Sequence, residues 1–314
     1  MVRLHRAAVI LMGLMISAFA QTASPGWLSF QRLSVNVQSG YFFNPWNDYN
    51  RAVETVGEQI RYDRRFFEPQ GFYEQIRGDV CFQGGINYAL SERLQIVVTG
   101  QLGGTGAGFE FYPDPEKIPD DQPFFGETAF RQTLDFDLRS LGVGIAYRLP
   151  LSSWLALTAQ GGIDFYHGEL QLHWQYARGG ARGPLEAGEG EVMKATLSEN
   201  RRGWHAALGM RWKLLGPLIL TAGLDYRSVK FPDLQGKGFY QADYPGPDNS
   251  TEFTAELVKE RNYFGVRARE EGQPDFYFYL PELTFNTEPF IGERTPATLD
   301  FSAIGIRTGI SIGF

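Results

Sequence analysis

The chain has 314 residues, 43% of them hydrophobic and 21% charged, with a formal net charge of −7, one cysteine, 37 glycines, 25 Phe, 15 Tyr and 6 Trp. So many aromatic and branched apolar side chains exclude intrinsic disorder, and Cys81 standing alone excludes a disulfide scaffold. No stretch beyond the N-terminus reaches the roughly 18 consecutive apolar residues of a spanning helix, which excludes a polytopic helical membrane protein. On these averages the chain looks soluble, with one large or two ordinary domains.

The first residues point to export. Arg3 and Arg6 form a positive segment, Ala7 to Ala18 is charge-free and apolar, and Ala18-Phe19-Ala20 fits a small-x-small cleavage site before Gln21. Residues 1–20 are therefore expected to be a signal peptide, and no cysteine follows the site to carry a lipid anchor. Removing two arginines makes the remainder, 21–314, more acidic still. That balance disfavours nucleic acid and anionic lipid headgroups as partners.

Past residue 30 apolar and polar residues alternate with period two, in segments of about ten residues. This is the pattern of strands with one face in an apolar medium and the other in a polar one. The first, 33–43, sets Leu33, Val35, Val37 and Tyr41 against Ser34, Asn36 and Gln38. The second, 78–90, sets Val80, Phe82, Ile86 and Tyr88 against Asp79, Cys81, Gln83 and Asn87. In the third, Leu94, Ile96, Val98 and Leu102 oppose Gln95, Thr99 and Gln101. The fourth, 133–148, starts with Leu134, Phe136 and Leu138 on one parity and continues with Leu141, Val143, Ile145 and Tyr147 on the other, which predicts a β-bulge near Arg139-Ser140.

The fifth strand faces Leu155, Leu157, Ala159, Ile163 and Phe165 against Thr158, Gln160 and Asp164. In the sixth, Trp204, Ala206, Leu208, Met210 and Trp212 oppose His205, Arg211 and Lys213. The seventh sets Leu218, Leu220, Ala222, Leu224 and Tyr226 against Thr221, Asp225 and Arg227, and the eighth, 300–314, sets Ile304, Ile306, Ile310, Ile312 and Phe314 against Arg307 and Ser311.

Links after the even-numbered strands are short. Those after the odd-numbered ones, at 44–77, 104–132, 168–201 and 231–299, run to about 34, 29, 34 and 69 residues, the alternation of short periplasmic turns and long external loops in a membrane barrel. Aromatics mark both ends of the crossings: Tyr41, Phe165, Trp204 and Tyr226 at the external rim, and Tyr88, Tyr147, Trp212 and Phe314 at the periplasmic one. The reading is an all-β, closed, antiparallel up-and-down transmembrane barrel of eight strands. Alternating runs at 252–258, 263–269 and 275–285 extend strands above the membrane, form a hairpin or, if two of them cross, raise the count to ten.

The export signal, the eight amphipathic strands and the ending Ile306-x-x-x-Ile310-x-Ile312-x-Phe314 together resemble the small outer-membrane β-barrels of Gram-negative bacteria, the class of the outer membrane protein A transmembrane domain. The resemblance covers the mature chain as architecture. It implies residence in the cell outer membrane, outer-membrane lipid as surroundings and the barrel-assembly machinery as a biogenesis partner, with Phe314 in its recognition signal. Physical constraint agrees, because strands span hydrocarbon only when every backbone amide is paired in a closed ring.

An eight-stranded interior is just wide enough for side chains to fill. The inner positions assigned to Asp79, Asp135, Asp137, Asp164, Arg211, Asp225, Arg227 and Arg307, with Lys213, mix both signs, so a salt-bridged plug is expected, with Cys81 as inert packing beside it. The alternative is a narrow channel for small solutes or ions.

Asp114, Glu116, Asp120 and Asp121 lack a calcium-loop spacing, the glycines at 103, 104, 106, 108 and between 179 and 190 lack a phosphate-loop context, and Asn249-Ser250-Thr251 matches a glycosylation acceptor only incidentally. No cofactor, metal or nucleic acid is expected; an extracellular ligand for the loops is. Lipid A deacylases of this architecture use His, Ser and a carboxylate on the lipid-facing wall, and their His-x-Ser-Asn pattern is absent. His167 and Glu169 share a face, but Ser228 lies two strands away, about 9–10 Å, beyond a nucleophile's reach. A non-enzymatic barrel with a structural or surface-binding role is the expected function.

Overall fold

The computed structural model describes residues 32–44, 46–47, 49–51, 53–54, 70–112, 129–177, 191–241, 250–260, 263–273, 275–280 and 295–313. The expected signal peptide 1–20, the acidic quartet at 114–121, the glycines between 179 and 190, Asn249 and Phe314 lie outside these described residues.

The strands in chain order are β1 (Leu33–Phe43), β2 (Gln70–Tyr73), β3 (Asp79–Ala89), β4 (Leu94–Tyr112), β5 (Ala129–Pro150), β6 (Leu155–Ala177), β7 (Glu191–Lys213), β8 (Leu218–Ser228), β9 (Lys230–Phe231), β10 (Gln235–Gln241), β11 (Ser250–Glu260), β12 (Tyr263–Arg269), β13 (Phe276–Leu280), β14 (Thr295–Pro296), β15 (Leu299–Asp300) and β16 (Ala303–Gly313). Antiparallel pairing runs β1–β3–β4–β5–β6–β7–β8–β16 and returns from β16 to β1. Eight strands thus close a ring with no free edge, the one way a sheet satisfies its amides in hydrocarbon.

Two of the three short turns share one chemistry. Leu90 and Ser91 donate to the Leu94 carbonyl while Ser91 Oγ accepts from the Leu94 amide at 3.0 Å. Leu151 and Ser152 repeat the arrangement with Leu155, whose amide reaches Ser152 Oγ at 3.1 Å. At the third turn Gly216 takes a φ of 55°, left-handed backbone that glycine adopts without a Cβ penalty.

Strands β5, β6 and β7 are 22, 23 and 23 residues long, twice the 9–11 or so that a tilted crossing needs. Segments expected as external loops are in large part these same strands continuing upward. The reason is visible in β5. Leu141, Val143 and Ile145 face outward at 62, 51 and 58% exposure, whereas Leu134, Phe136 and Leu138 face inward at 2, 1 and 1%.

No bulge separates the two sets. Gln101 and Leu102 pair with Ser140 and Arg139, which pair in turn with Tyr166 and His167, in unbroken register. The strand keeps its phase while the apolar medium changes sides: lipid outside the lower half, a protein core inside the upper half.

Above the membrane the neighbours also change. β8 last pairs with β7 at Trp204↔Ser228, and β10 takes over that edge from Ser198 to Val192. β11, β12 and β13 extend the sheet from β10, and β2 occupies the edge of β4 above β3. The runs within 231–299 therefore build an extramembrane sheet and none of their described strands enters the ring, which keeps the count at eight.

Inside this upper sheet lies an apolar core. Phe136 stacks on Phe301 with ring centroids 4.2 Å apart, Trp46 meets both rings edge-on at 5.5 and 5.3 Å, and Phe231 closes the group at 5.8 Å from each phenylalanine. Leu170, Leu172, Met193, Leu197, Ala255, Leu257 and Val266 continue it along the inner wall. Gly168 is required there, because a Cβ would stand 2.7 Å from Phe136 and 2.9 Å from Phe231.

Candidate functional site

The most densely charged interior lies where the transmembrane ring meets the extramembrane core. Successive residues on a strand alternate faces, so odd positions on β3, β4, β7, β8 and β16 and even ones on β1, β5 and β6 point into the ring. Contacts between strands that are not neighbours confirm which face is internal. Arg227 on β8 reaches Asp79 on β3, and Arg211 on β7 reaches Gln95 on β4.

The Arg227–Asp79 pair is the most buried of these, with Nη2 to Oδ1 at 2.5 Å and side-chain exposures of 1% and 2%. Arg227 Nε donates to the Phe301 carbonyl at 3.0 Å, and its guanidinium carbon lies 4.2 Å from the Phe42 ring centroid. One cation thereby joins the polar lumen below to the aromatic core above, with ion-pair, hydrogen-bond and cation–π contacts offsetting its desolvation.

Below it, Arg307 Nε pairs with Asp225 Oδ2 at 2.8 Å and Nη1 donates to Gln83 Oε1 at 2.5 Å. His205 Nδ1 donates to Asp164 Oδ2 at 2.6 Å, the Tyr166 hydroxyl donates to the same oxygen at 3.2 Å, and Gln160 Nε2 lies 3.1 Å from His205 Nε2. Lower still, Arg211 Nη1 donates to Gln95 Oε1 at 3.4 Å and Gln38 Nε2 donates to Thr221 Oγ1 at 3.1 Å. These side chains leave a polar cavity of about 50 Å³ bounded by Asn36, Asn87, Gln160, Arg211, Arg307 and their neighbours. Cys81 is buried with a free thiol beside the Asp79 level.

Six of the residues expected in the lumen, Asp79, Asp164, Arg211, Asp225, Arg227 and Arg307, lie inside the ring. Asp135 and Asp137 do not: they occupy the outer, water-facing side of β5 above the membrane, opposite Gly106 and Gly104 of β4. Their misplacement has the same cause as the absent bulge, since an apolar residue beside them was expected to face lipid and instead faces the core. Partial burial and the neighbouring Asp137 carboxylate raise the Asp135 pKa above its ordinary value.

Tyr166, Phe42 and Phe301 escaped the sequence reading. Tyr166 stood just past an expected strand end, and the two phenylalanines carry no polarity signal. On the outer wall, His167 Nδ1 lies 2.9 Å from Asn200 Oδ1 and Nε2 lies 3.9 Å from Glu169. The Ser228 hydroxyl lies 3.4 Å from that of Ser302.

Neither a protein-family model nor a curated protein sequence matches the chain. Solved structures that match include the attachment invasion locus protein Ail of Yersinia pestis, at 8% identity and a TM-score of 0.29 over 89% of this chain and 97% of that one. A major outer membrane protein from Thermus thermophilus matches at 12% identity and a TM-score of 0.40, over 90% and 99% of the two chains. The outer membrane protease OmpT from Escherichia coli matches at 10% identity and 0.35, over 94% and 99%. No side chain is matched through likeness of this degree. The closed ring, the outward apolar belt and the pairing order in this chain make it a small outer-membrane-type β-barrel.

Proposed function

We propose that this chain is an integral outer-membrane barrel with a closed lumen, which acts through its extracellular sheet in a structural or surface-binding role and performs no catalysis. The observation that carries this reading is the double seal. The Arg227–Asp79 pair, at 2.5 Å under the Phe42 ring, caps the polar lumen, and the core around Phe136, Phe231 and Phe301 fills the ring's upward continuation. A hydrated ion would have to break a buried ion pair and then enter an apolar interior, both expensive steps.

The outer-wall geometry supports a non-catalytic role, since the Ser228 hydroxyl is placed toward Ser302 and the His167 ring toward Asn200. Under this proposal residues 1–20 direct export and are removed, Phe314 serves the barrel-assembly machinery, and the partners are outer-membrane lipid and an extracellular ligand rather than nucleic acid. Planar bilayers test the closed lumen directly. The refolded protein is expected to give no steady conductance step above the bare-bilayer baseline, whereas a sustained open current would establish the channel alternative.

A further inference from the structure

The outer wall has a groove that the lumen does not use. Four outward positions in adjacent register, Gly84, Gly100, Leu141 and Phe165, form a row across β3 to β6, with Arg202 of β7 next in line. Gly100 carries no side chain, and a hollow opens over it between Val98 and Ile86 on the membrane side and Leu102 on the external side. The hollow encloses about 380 Å³ and is lined by those residues with Leu141, Phe165, Arg139 and His167, a volume within the roughly 300–1,000 Å³ of small-molecule sites.

The rim is cationic. The Arg139 side chain is exposed and makes no hydrogen bond or ion pair with another described residue, and Arg202 rests 5.5 Å above the Phe165 ring centroid. One outward step higher on β5 and β6 stand the carboxylates Asp137 and Glu169, the latter accepting from Gln171 at 2.6 Å.

We infer that this groove binds a phosphorylated glycolipid of the outer leaflet, with one acyl chain in the hollow, the phosphate against Arg139 and Arg202, and sugar hydroxyls donating to Asp137 and Glu169. The inference rests on the outer-membrane barrel proposed above. The chain's negative net charge does not oppose it, because the field felt by a phosphate at contact distance is that of the nearest guanidinium groups. Tiered polarity selects the class. An apolar hollow takes a hydrocarbon chain, the arginines on β5 and β7 that flank it take an oxyanion, and carboxylates one tier above favour a headgroup rich in hydroxyl donors over a glycerophospholipid.

Native mass spectrometry of the full-length protein, released from detergent micelles containing bis-phosphorylated lipid A, dephosphorylated lipid A or phosphatidylglycerol, reads lipid retention. Heat-modifiable gel migration of the same samples reports separately whether the barrel is folded, so failure of the barrel reading and failure of the site are distinguishable. Wild type is expected to retain the bis-phosphorylated lipid about tenfold better than the other two. Arg139→Glu with Arg202→Glu, and separately Gly100→Leu, should each abolish that preference in folded protein. Equal retention of all three lipids by folded wild type, a preference for phosphatidylglycerol, or undiminished selectivity in the folded variants would overturn the inference.

Discussion

Replacing Asp79 by alanine is expected to destabilise the folded barrel by about 3–5 kcal/mol, because it leaves the Arg227 guanidinium buried without its counter-charge. Arg227 is 1% exposed and its ion-pair partner is 2.5 Å away. Its remaining contacts, the Phe301 carbonyl and the Phe42 ring, carry no formal charge. Urea unfolding in lipid vesicles, followed by the heat-modifiable band, measures the loss. The double replacement Asp79→Leu with Arg227→Met should recover most of it, since removing both charges removes the desolvation penalty along with the attraction. A single Asp79→Ala variant as stable as wild type would mean that Arg227 is hydrated in the folded state.

Phe136→Ala should produce a loss of similar size in a different place. Phe136 is 1% exposed and touches Trp46, Phe231 and Phe301, so truncation opens a cavity among aromatic rings with little room to collapse, at about 3–5 kcal/mol. The effect should be confined to the upper sheet. Hydrogen exchange is expected to accelerate in β10, β11 and β12, whose residues Tyr240, Phe253, Leu257 and Val266 pack in or against this core. Amides around Val143 and Ile145, held by lipid-side strand pairing on both neighbours, should keep their protection. Uniform loss of protection along β5 would show that the two halves unfold as one unit.

The lower half of the molecule was legible in its sequence because lipid imposes a simple code. Leu141, Val143 and Ile145 alternate with Gly142, Gly144 and Ala146, and lipid contact assigns the larger residue outward at every step. Inner charges followed by parity alone, which placed Asp79, Asp164, Arg211, Asp225, Arg227 and Arg307 inside the ring.

The upper half was misread because alternation reports two faces without saying which medium each one meets. Leu134, Phe136 and Leu138 give the same signal as a lipid-facing triplet, so a register change was expected where only the environment changes, and Asp135 and Asp137 were carried to the wrong side with it. Loop length misled in the same way. The stretches at 104–132 and 168–201 contain Ala107, Leu170, Leu172, Met193, Ala195 and Leu197, all buried, at strand spacing. Those stretches read as loops only if a strand is assumed to end where its membrane crossing ends. Partners of Arg227 were hidden for another reason: Phe301 offers a backbone carbonyl and Phe42 a ring face, neither of which sequence polarity reports.

Nitroxide scanning along the outer face of β5 tests this inversion most directly. With Cys81→Ala as background, single spin labels at positions 135, 137, 141, 143 and 145 are placed in refolded protein in vesicles, and their relaxation by oxygen and by a water-soluble nickel chelate is compared. Labels at 141, 143 and 145 are expected to favour oxygen, as groups in hydrocarbon do, and those at 135 and 137 to favour the nickel chelate, with the crossover near Arg139. Labels at 135 and 137 shielded from both reagents, or a phase break at Arg139-Ser140, would place those carboxylates in the lumen and contradict an unbroken strand passing from a lipid belt to an extracellular core.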